Sequence, residues 1–248
     1  MHIEKNIIDA WLDYLSKEFE VSLSAQQTEQ FMLLLNELDE WNQKFNLVSF
    51  KTPDEILWRH FADSIAAAKS IKSHCGGAGT AGMAADIGAG AGFPGLPLKI
   101  VFPEMKLTLI ESIGKKCSFM RHIVDKLGLK DTIVFNGRAE LLGQDNETRE
   151  KYDITLSRAV SAFSPNLEAA LPLLKIGGFS FIHKYENYGE ELASANAALE
   201  ILGGRFEEAF EYKLPGSIRD SFVIAVSKVS STPTKYPRRP GMSEKKPL

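Results

Sequence analysis

The sequence predicts an α/β protein: a mostly parallel sheet with helices on both faces, finished by a C-terminal antiparallel hairpin and preceded by a small helical N-terminal extension. Three observations carry this. The stretch AADIGAGAGFPG at 84–95 reads as a buried strand that runs into a glycine loop and a helix start. Beyond it, apolar runs alternate with segments of helical periodicity, the pattern of a parallel sheet with crossover helices. The last two apolar runs, 206–214 and 221–229, are separated only by a turn around Pro215 and Gly216, so they pair antiparallel.

Taken in order, Ile7, Ile8, Trp11, Leu12, Leu15 and Phe19 recur at helical spacing and predict an amphipathic helix over 2–20. Ser24 followed by Gln27 has the form of a capping box, and Phe31, Leu34, Leu35, Leu38, Trp41 and Phe45 continue a second helix whose aromatic stripe belongs to a core. Thr52, Pro53 and Glu55 predict the start of a third. The segment 73–82, SHCGGAGTAG, has no periodicity and reads as a glycine-rich linker. Strands are then expected near 84–88, 106–111, 131–136, 152–157 and 178–184, with helices near 94–101, 115–128, 165–174 and 188–202. The chain thus divides into a helical extension at 1–72, a linker at 73–83, a sheet domain at 84–232 and a basic tail at 233–248.

A chain of 248 residues, 44% hydrophobic and 25% charged, suits one large soluble domain. No apolar run approaches the roughly 18 residues of a membrane span. The start, MHIEKNIIDAW, lacks the features of a signal peptide, and a cytoplasmic location is expected. Cys75 and Cys117 have no metal-type spacing and are expected to be reduced thiols; no metal is expected. Net charge is −3, unevenly spread: from Pro233 onward Lys235, Arg238, Arg239, Lys245 and Lys246 stand against Glu244, so the tail is +4 and the body −7. A basic tail on an acidic body suits an electrostatic arm for a polyanion.

Two templates fit the glycine loop. Gly90, Gly92 and Gly95 satisfy the dinucleotide pattern G-x-G-x-x-G, while Asp86, Gly88, Gly90 and Gly92 satisfy D-x-G-x-G-x-G, the looser loop of class I S-adenosylmethionine-dependent methyltransferases. The strand ends at Gly88, which leaves Gly90 and Gly95 late for a pyrophosphate grip, and Pro94 removes an N–H donor that a diphosphate would use. Glu111, at the tip of the second strand, is placed to accept from ribose hydroxyls, which both ligands have. The loop Gly137, Arg138, Ala139, Glu140 lies where an adenine ring would sit, with Glu140 facing either the amine or solvent. The terminal hairpin favours the methyltransferase version of this Rossmann-like sheet, and with it S-adenosylmethionine.

These residues resemble one family, RsmG or GidB, the bacterial methyltransferases of 16S ribosomal RNA. The resemblance rests on NQKFNLVSF at 42–50, RHFADS at 59–64, DIGAGAGFPG at 86–95, ESIGKKCSFMRHIVDKLGL at 111–129, GRAE at 137–140, SRAV at 157–160, LPLLKIGG at 171–178 and the terminal TPTKYPRRPGMSEKKPL. One departure is the longer, glycine-rich stretch at 73–82. The resemblance implies methylation of guanine N7, with 16S ribosomal RNA or the small subunit as partner; the sequence does not fix the oligomeric state, with a monomer favoured. It implies cofactor contacts at Gly88, Phe93, Glu111, Ala139, Glu140 and Arg158, to which Gly90 of the same loop and Ser112 beside Glu111 are added.

Guanine N7 has an in-plane lone pair and no proton at neutral pH, so no general base is required, only desolvation and alignment. Where many amino-group methyltransferases carry Asn-Pro-Pro-aromatic, this chain has Ser157, Arg158 and Ala159. Arg158 is therefore expected to position cofactor or guanine, with a strand-end salt bridge as the alternative. His60 and Asp63 share a helical face, where they either close over the cofactor or hold the N-terminal helices to the sheet. Lys115, Lys116, Arg121, Arg138, Lys184, Lys235, Arg238 and Arg239 are candidate phosphate contacts. Two other functions fit parts of the pattern: a non-catalytic RNA-binding or ribosome-assembly protein, and an NAD-dependent dehydrogenase.

Overall fold

The computed structural model of the chain describes residues 3–158, 162–185 and 188–248. Helix α1 (Lys5–Phe19) buries Trp11, Leu15 and Phe19, the stripe its spacing predicts. Helix α2 (Ala25–Asn42) opens on the expected capping box: Ser24 Oγ accepts from Gln27 N at 3.2 Å, and Gln27 Oε1 accepts from Ser24 N at 2.9 Å. The third predicted helix starts at Pro53 but is not capped as its sequence suggests. The Thr52 side chain makes no cap bond, and Glu55 Oε2 takes the Lys51 N–H at 2.8 Å in place of the Thr52 N–H. It proceeds as α3 (Pro53–Glu55), a π-helical stretch (Ile56–Ala62), α4 (Asp63–Ile65) and α5 (Ala67–Ala81). The π-helical stretch brings His60 and Asp63 to the sheet; such wide turns often sit at functional sites.

The linker expected at 73–83 is a correction. Its residues are helical up to Ala81 and then enter a strand at Met83, with one break at Gly76, whose φ of 52° and ψ of −142° lie outside the helical region. Each glycine disfavours a helix by about 1 kcal/mol, but α5 packs along the sheet, burying Ile71 and setting the His74 ring 5.2 Å from Phe179. Tertiary contact overrides local composition here.

Seven strands form one sheet in the order β3-β2-β1-β4-β5-β7-β6. Strands β1 (Met83–Ile87), β2 (Lys106–Glu111), β3 (Thr132–Asn136), β4 (Tyr152–Arg158) and β5 (Leu174–Tyr185) are parallel, and β6 (Gly204–Tyr212) and β7 (Ser221–Lys228) form the expected hairpin. The antiparallel strand is β7, which inserts between β5 and β6. Strand β5 starts four residues earlier than predicted, across a register shift against β4. Crossovers are α6 (Gly95–Val101), α7 (Gly114–Lys126), α8 (Ala139–Gln144) and α9 (Phe163–Ala170); the helix expected at 188–202 is two, α10 (Tyr188–Ser194) and α11 (Asn196–Leu202). The first crossovers of β1 and β4, neighbours in the sheet, diverge from that point, where α/β sheets hold ligands beyond the strand ends.

The N-terminal helices share a core with the sheet. Trp11 meets Phe31 at 5.2 Å, Phe31 meets Phe61 at 5.2 Å, and Phe61 meets Phe93 of the glycine loop at 6.0 Å. Burial of each such ring stabilises by about 1.5–3 kcal/mol. Glu37 on α2, itself buried, receives His122 Nε2 at 2.6 Å and pairs with Lys126, both on α7.

The basic tail is a second correction, because it does not extend as an arm. Arg149 donates to the carbonyls of Gly143, Tyr236 and Thr232 at 2.6–2.7 Å. Tyr236 and Leu248 pack with Phe163 and Leu167 of α9, and a short helix α12 (Met242–Lys245) lies against α9. The arm reading followed charge alone; the aromatic and apolar residues between the charges decide the placement.

Candidate active site

The glycine loop leaves β1 through Asp86, whose side chain is fully buried. Its Oδ2 accepts from Gly95 N at 2.7 Å, and its Oδ1 has no hydrogen-bond partner among the described residues. Burial pushes this carboxyl up to about 7, opposed by the Gly95 N–H and the Arg158 charge. Two glycines are dictated by space. A Cβ on Gly92, at φ 92°, would stand 2.2 Å from Leu96 Cδ1, and one on Gly95 would stand 2.7 Å from Asp86 Oδ2.

At the C-terminal ends of β1, β2 and β3 the chain encloses a pocket of about 70 Å³. Gly88, Glu111, Ser112, Arg138, Ala139 and Glu140 all line it, so five of the eight predicted cofactor residues converge. Glu111 is fixed by two backbone donors, Gly90 N at 3.0 Å and Ile113 N at 2.8 Å. A carboxylate held this way keeps lone pairs for hydroxyl donors. Gly90 thus serves the pocket through Glu111. Phe93 and Arg158 do not line it. Phe93 is buried, with His60 5.4 Å away and the Arg158 guanidinium 5.1 Å above its ring.

Arg158 closes a second cluster. Its Nη1 donates to Asp63 Oδ2 at 3.0 Å, to His60 O at 3.2 Å and to Ser64 Oγ at 3.3 Å, and its Nη2 lies 3.3 Å from His60 Nδ1. Asp63, 1% exposed, also accepts from Tyr212 Oη at 2.7 Å and Tyr185 Oη at 3.3 Å, and its carbonyl accepts from His183 Nε2 at 2.9 Å. Burial and Arg158 lower His60 to about 4, so its ring is neutral at pH 7: Nε2–H donates to Ser49 O at 3.3 Å and Nδ1 accepts from Arg158. Burial beside Asp63 pushes Tyr185 up to about 12. Of the alternatives for these residues, the contacts make the structural one: His60 and Asp63 tie the N-terminal helices to the sheet, and Arg158 makes the strand-end salt bridge. The same cluster also lines a larger cavity of about 770 Å³, with Trp58, Arg59, the 214–219 turn and Arg219 as further walls. Of the SRAV motif, Ala159 and Val160 lie outside the described residues.

The candidate phosphate contacts separate. Lys115 and Arg121 on α7, Arg138 before α8, and Lys235 and Arg239 in the tail are exposed; Lys116 is half-buried beside Gly90. Two do not fit the expectation. Lys184 pairs with Glu191 at 2.5 Å, and Arg238 pairs with buried Glu168 at 2.6 Å. Sequence reasoning missed Asn166, which bonds Ser157 and lines the smaller pocket, and Ser243 and Glu244, which line it from the tail. No local motif marks Asn166, and Ser243 and Glu244 lie in the terminal motif at 232–248, whose charge suggests no pocket role. Tyr185 and Tyr212, the hydroxyl donors to Asp63, carry no sequence signal of that role. Among the described residues no His, Cys, Asp and Glu cluster forms a metal set, and no helix is long and apolar enough to cross a membrane.

Comparison with known proteins gives concordant results. A family profile described as "GidB: rRNA small subunit methyltransferase G" matches residues 27–214. A ribosomal RNA small subunit methyltransferase G from Acetivibrio thermocellus is 43% identical over 231 residues, covering 93% of this chain and 92% of its own. The protein of the same name from Bacillus cytotoxicus is 39% identical, covering 92% and 93%. Among solved structures, a putative RNA methyltransferase from Pyrococcus horikoshii superposes with a TM-score of 0.52 at 15% identity, covering 82% of this chain and all of that one, a likeness of fold.

Proposed function

The chain belongs to the GidB family of rRNA small subunit methyltransferases, and on that premise we propose that it transfers the methyl group of S-adenosylmethionine to N7 of a guanosine in 16S ribosomal RNA. The observation that carries the cofactor part is the convergence of Gly88, Glu111, Ser112, Ala139 and Glu140 on one pocket beyond the strand ends. Glu111, fixed by Gly90 and Ile113, is an acceptor for ribose hydroxyls, and Glu140 for the adenine amine. The donor set of the pocket fits a neutral nucleoside better than a diphosphate. Three carboxylates line it, Glu111, Glu140 and Glu244, against one guanidinium, Arg138, and Pro94 in the adjoining loop offers no N–H.

When bound, S-adenosylmethionine supplies an electrophilic methyl group, and guanine N7 needs no proton removed. The residues of the chain have only to hold, orient and exclude water. Arg158 is a positioning residue: Asp63, Ser64 and the π-helical carbonyls fix its guanidinium over Phe93, at the edge of the larger cavity. That cavity is the place for the target guanine, whose O6 can accept from the guanidinium while the N7 lone pair stays free to attack the methyl group. Arg59 and Arg219 at its rim, with Lys115, Lys116, Arg121, Arg138, Lys235 and Arg239, supply the phosphate contacts. A cytoplasmic location follows from that substrate.

The test is to incubate the full chain with S-adenosylmethionine labelled in the methyl group and unmodified small subunits or 16S transcript, then map N7-methylguanosine by chemical strand cleavage. One cleavage site that depends on both chain and cofactor is expected. Tight RNA binding without transfer of label would indicate an assembly protein, and binding of NAD in place of S-adenosylmethionine a dehydrogenase; either overturns the proposal.

A further inference from the structure

The nucleoside pocket has one wall without a role so far. Besides the strand ends and α9, it is lined by Ser243 and Glu244, and Ser243 is 7% exposed. The segment is brought there by anchors on both sides. Upstream, Arg238 donates to the Glu168 carboxylate from its backbone N at 2.8 Å, Nε at 2.9 Å and Nη2 at 2.6 Å. Downstream, Leu248 N donates to Ser164 Oγ at 3.1 Å. Both anchors lie on α9, the helix that also contributes Asn166 to the pocket. The segment is therefore a strap, tied at each end to one wall and crossing the opening between.

Across the middle α12 rests on α9, but polar ties to the facing wall are few. Gly241 N donates to Glu140 Oε1 at 3.3 Å, near the limit for such a bond, and Glu244 to Pro247 are exposed. The opposite walls include the ends of β1 and β2, each bonded on both edges. The accessible volume, about 70 Å³, takes only about five water-sized spheres, whereas ligand pockets run from about 300 Å³. The pocket is partly open to solvent, so a base and ribose gain the room they need as a wall moves, and the strap is the wall with the fewest polar ties to the others.

We propose that residues 239–247 are a hinged wall of the cofactor pocket, which lifts to admit S-adenosylmethionine and closes over its adenosine while Glu140 exchanges the Gly241 N–H for the adenine amine. This rests on the cofactor assignment above. It gives the tail a function that its charge does not predict: retention of cofactor, in addition to any contact with RNA.

The test follows amide hydrogen exchange of the full chain with and without saturating S-adenosylhomocysteine, together with the dissociation rate of that ligand from the parent chain and from Arg238→Ala. Binding is expected to slow exchange at 241–245 by about tenfold or more, and Arg238→Ala to speed ligand dissociation by about tenfold. RNA affinity measured without ligand should change less than about twofold on the loss of Arg238, whose charge Glu168 already compensates. Exchange on the parent chain does not depend on any variant folding. A parent chain that binds S-adenosylhomocysteine with tail exchange unchanged overturns the hinged wall alone. A parent chain that fails to bind it overturns the cofactor assignment first.

Discussion

Replacing Arg158 with alanine tests whether the Asp63 cluster holds the two halves of the protein together. The guanidinium side chain is 9% exposed and its partner carboxylate 1% exposed, so the pair is desolvated on both sides. Losing one member of such a pair costs about 3–5 kcal/mol, because the other charge stays buried. Asp63 keeps the hydroxyls of Tyr212 and Tyr185, which places the expected loss near the lower end, about 3 kcal/mol. In a chain of this length each kcal/mol lowers the melting point by about 2–4 °C, so Arg158→Ala should melt about 6–12 °C below the parent. Asp63→Asn in the same background removes the stranded charge, and the double variant should lose about 2 kcal/mol less than the sum of the singles. Thermal melts of the four proteins measure both quantities. Methyl transfer assayed well below the lowest melt then separates strut from positioning: Arg158→Ala should be slow even while folded. A single variant melting within about 1 °C of the parent, or additive singles, would refute the cluster as a strut.

Three further outcomes follow from the same geometry. Glu111→Gln should weaken S-adenosylhomocysteine binding by about tenfold, since an amide cannot accept from both Gly90 N and Ile113 N, and calorimetry that finds equal affinity would remove Glu111 from the site. Asp86 is raised from 3.8 to about 7, so its protonated form stabilises the fold below about pH 4 and that stability, about 4 kcal/mol, is lost as pH rises through about 7. Urea unfolding across that range should therefore show a shallower pH slope for Asp86→Asn, which keeps an acceptor for Gly95 N; identical slopes would contradict the buried carboxyl. RNA affinity should fall steeply with salt, and each of Lys115→Ala, Arg121→Ala and Arg138→Ala should reduce the log–log slope by about one, which titration at several salt concentrations measures.

What the sequence reveals here is what depends on neighbours a few residues apart. The strand ahead of Gly88, the acid at the tip of β2 and the loop at 137–140 are each local patterns, and the sheet brings them into one pocket because parallel strands end on the same side. The Asp63 cluster was invisible for the opposite reason. Its members come from positions 60, 63, 158, 183, 185 and 212; helical spacing relates His60 to Asp63, but nothing local relates that pair to the other four. Charge misled in the same way: Arg238 and Lys184 read as RNA contacts until their carboxylates, Glu168 and Glu191, are seen beside them. At 73–82 glycine content predicted coil, whereas packing against the sheet keeps most of that stretch helical.

The contacts of α1 also set a timetable. Phe19 lies edge-on to Tyr212 at 5.5 Å, and Tyr14 Oη donates to Lys213 O at 2.9 Å, so the first helix to leave the ribosome finishes its burial only when β6, one of the last strands, arrives. At about 5–20 residues per second, that wait is on the order of ten to forty seconds. Trp11 finds Phe31 and Phe61 early, but until β6 arrives Phe19 and Tyr14 lack their last partners. A newborn chain stalled before residue 204 would be exposed to proteases and chaperones along its N-terminal stripe, however well its glycine loop had formed.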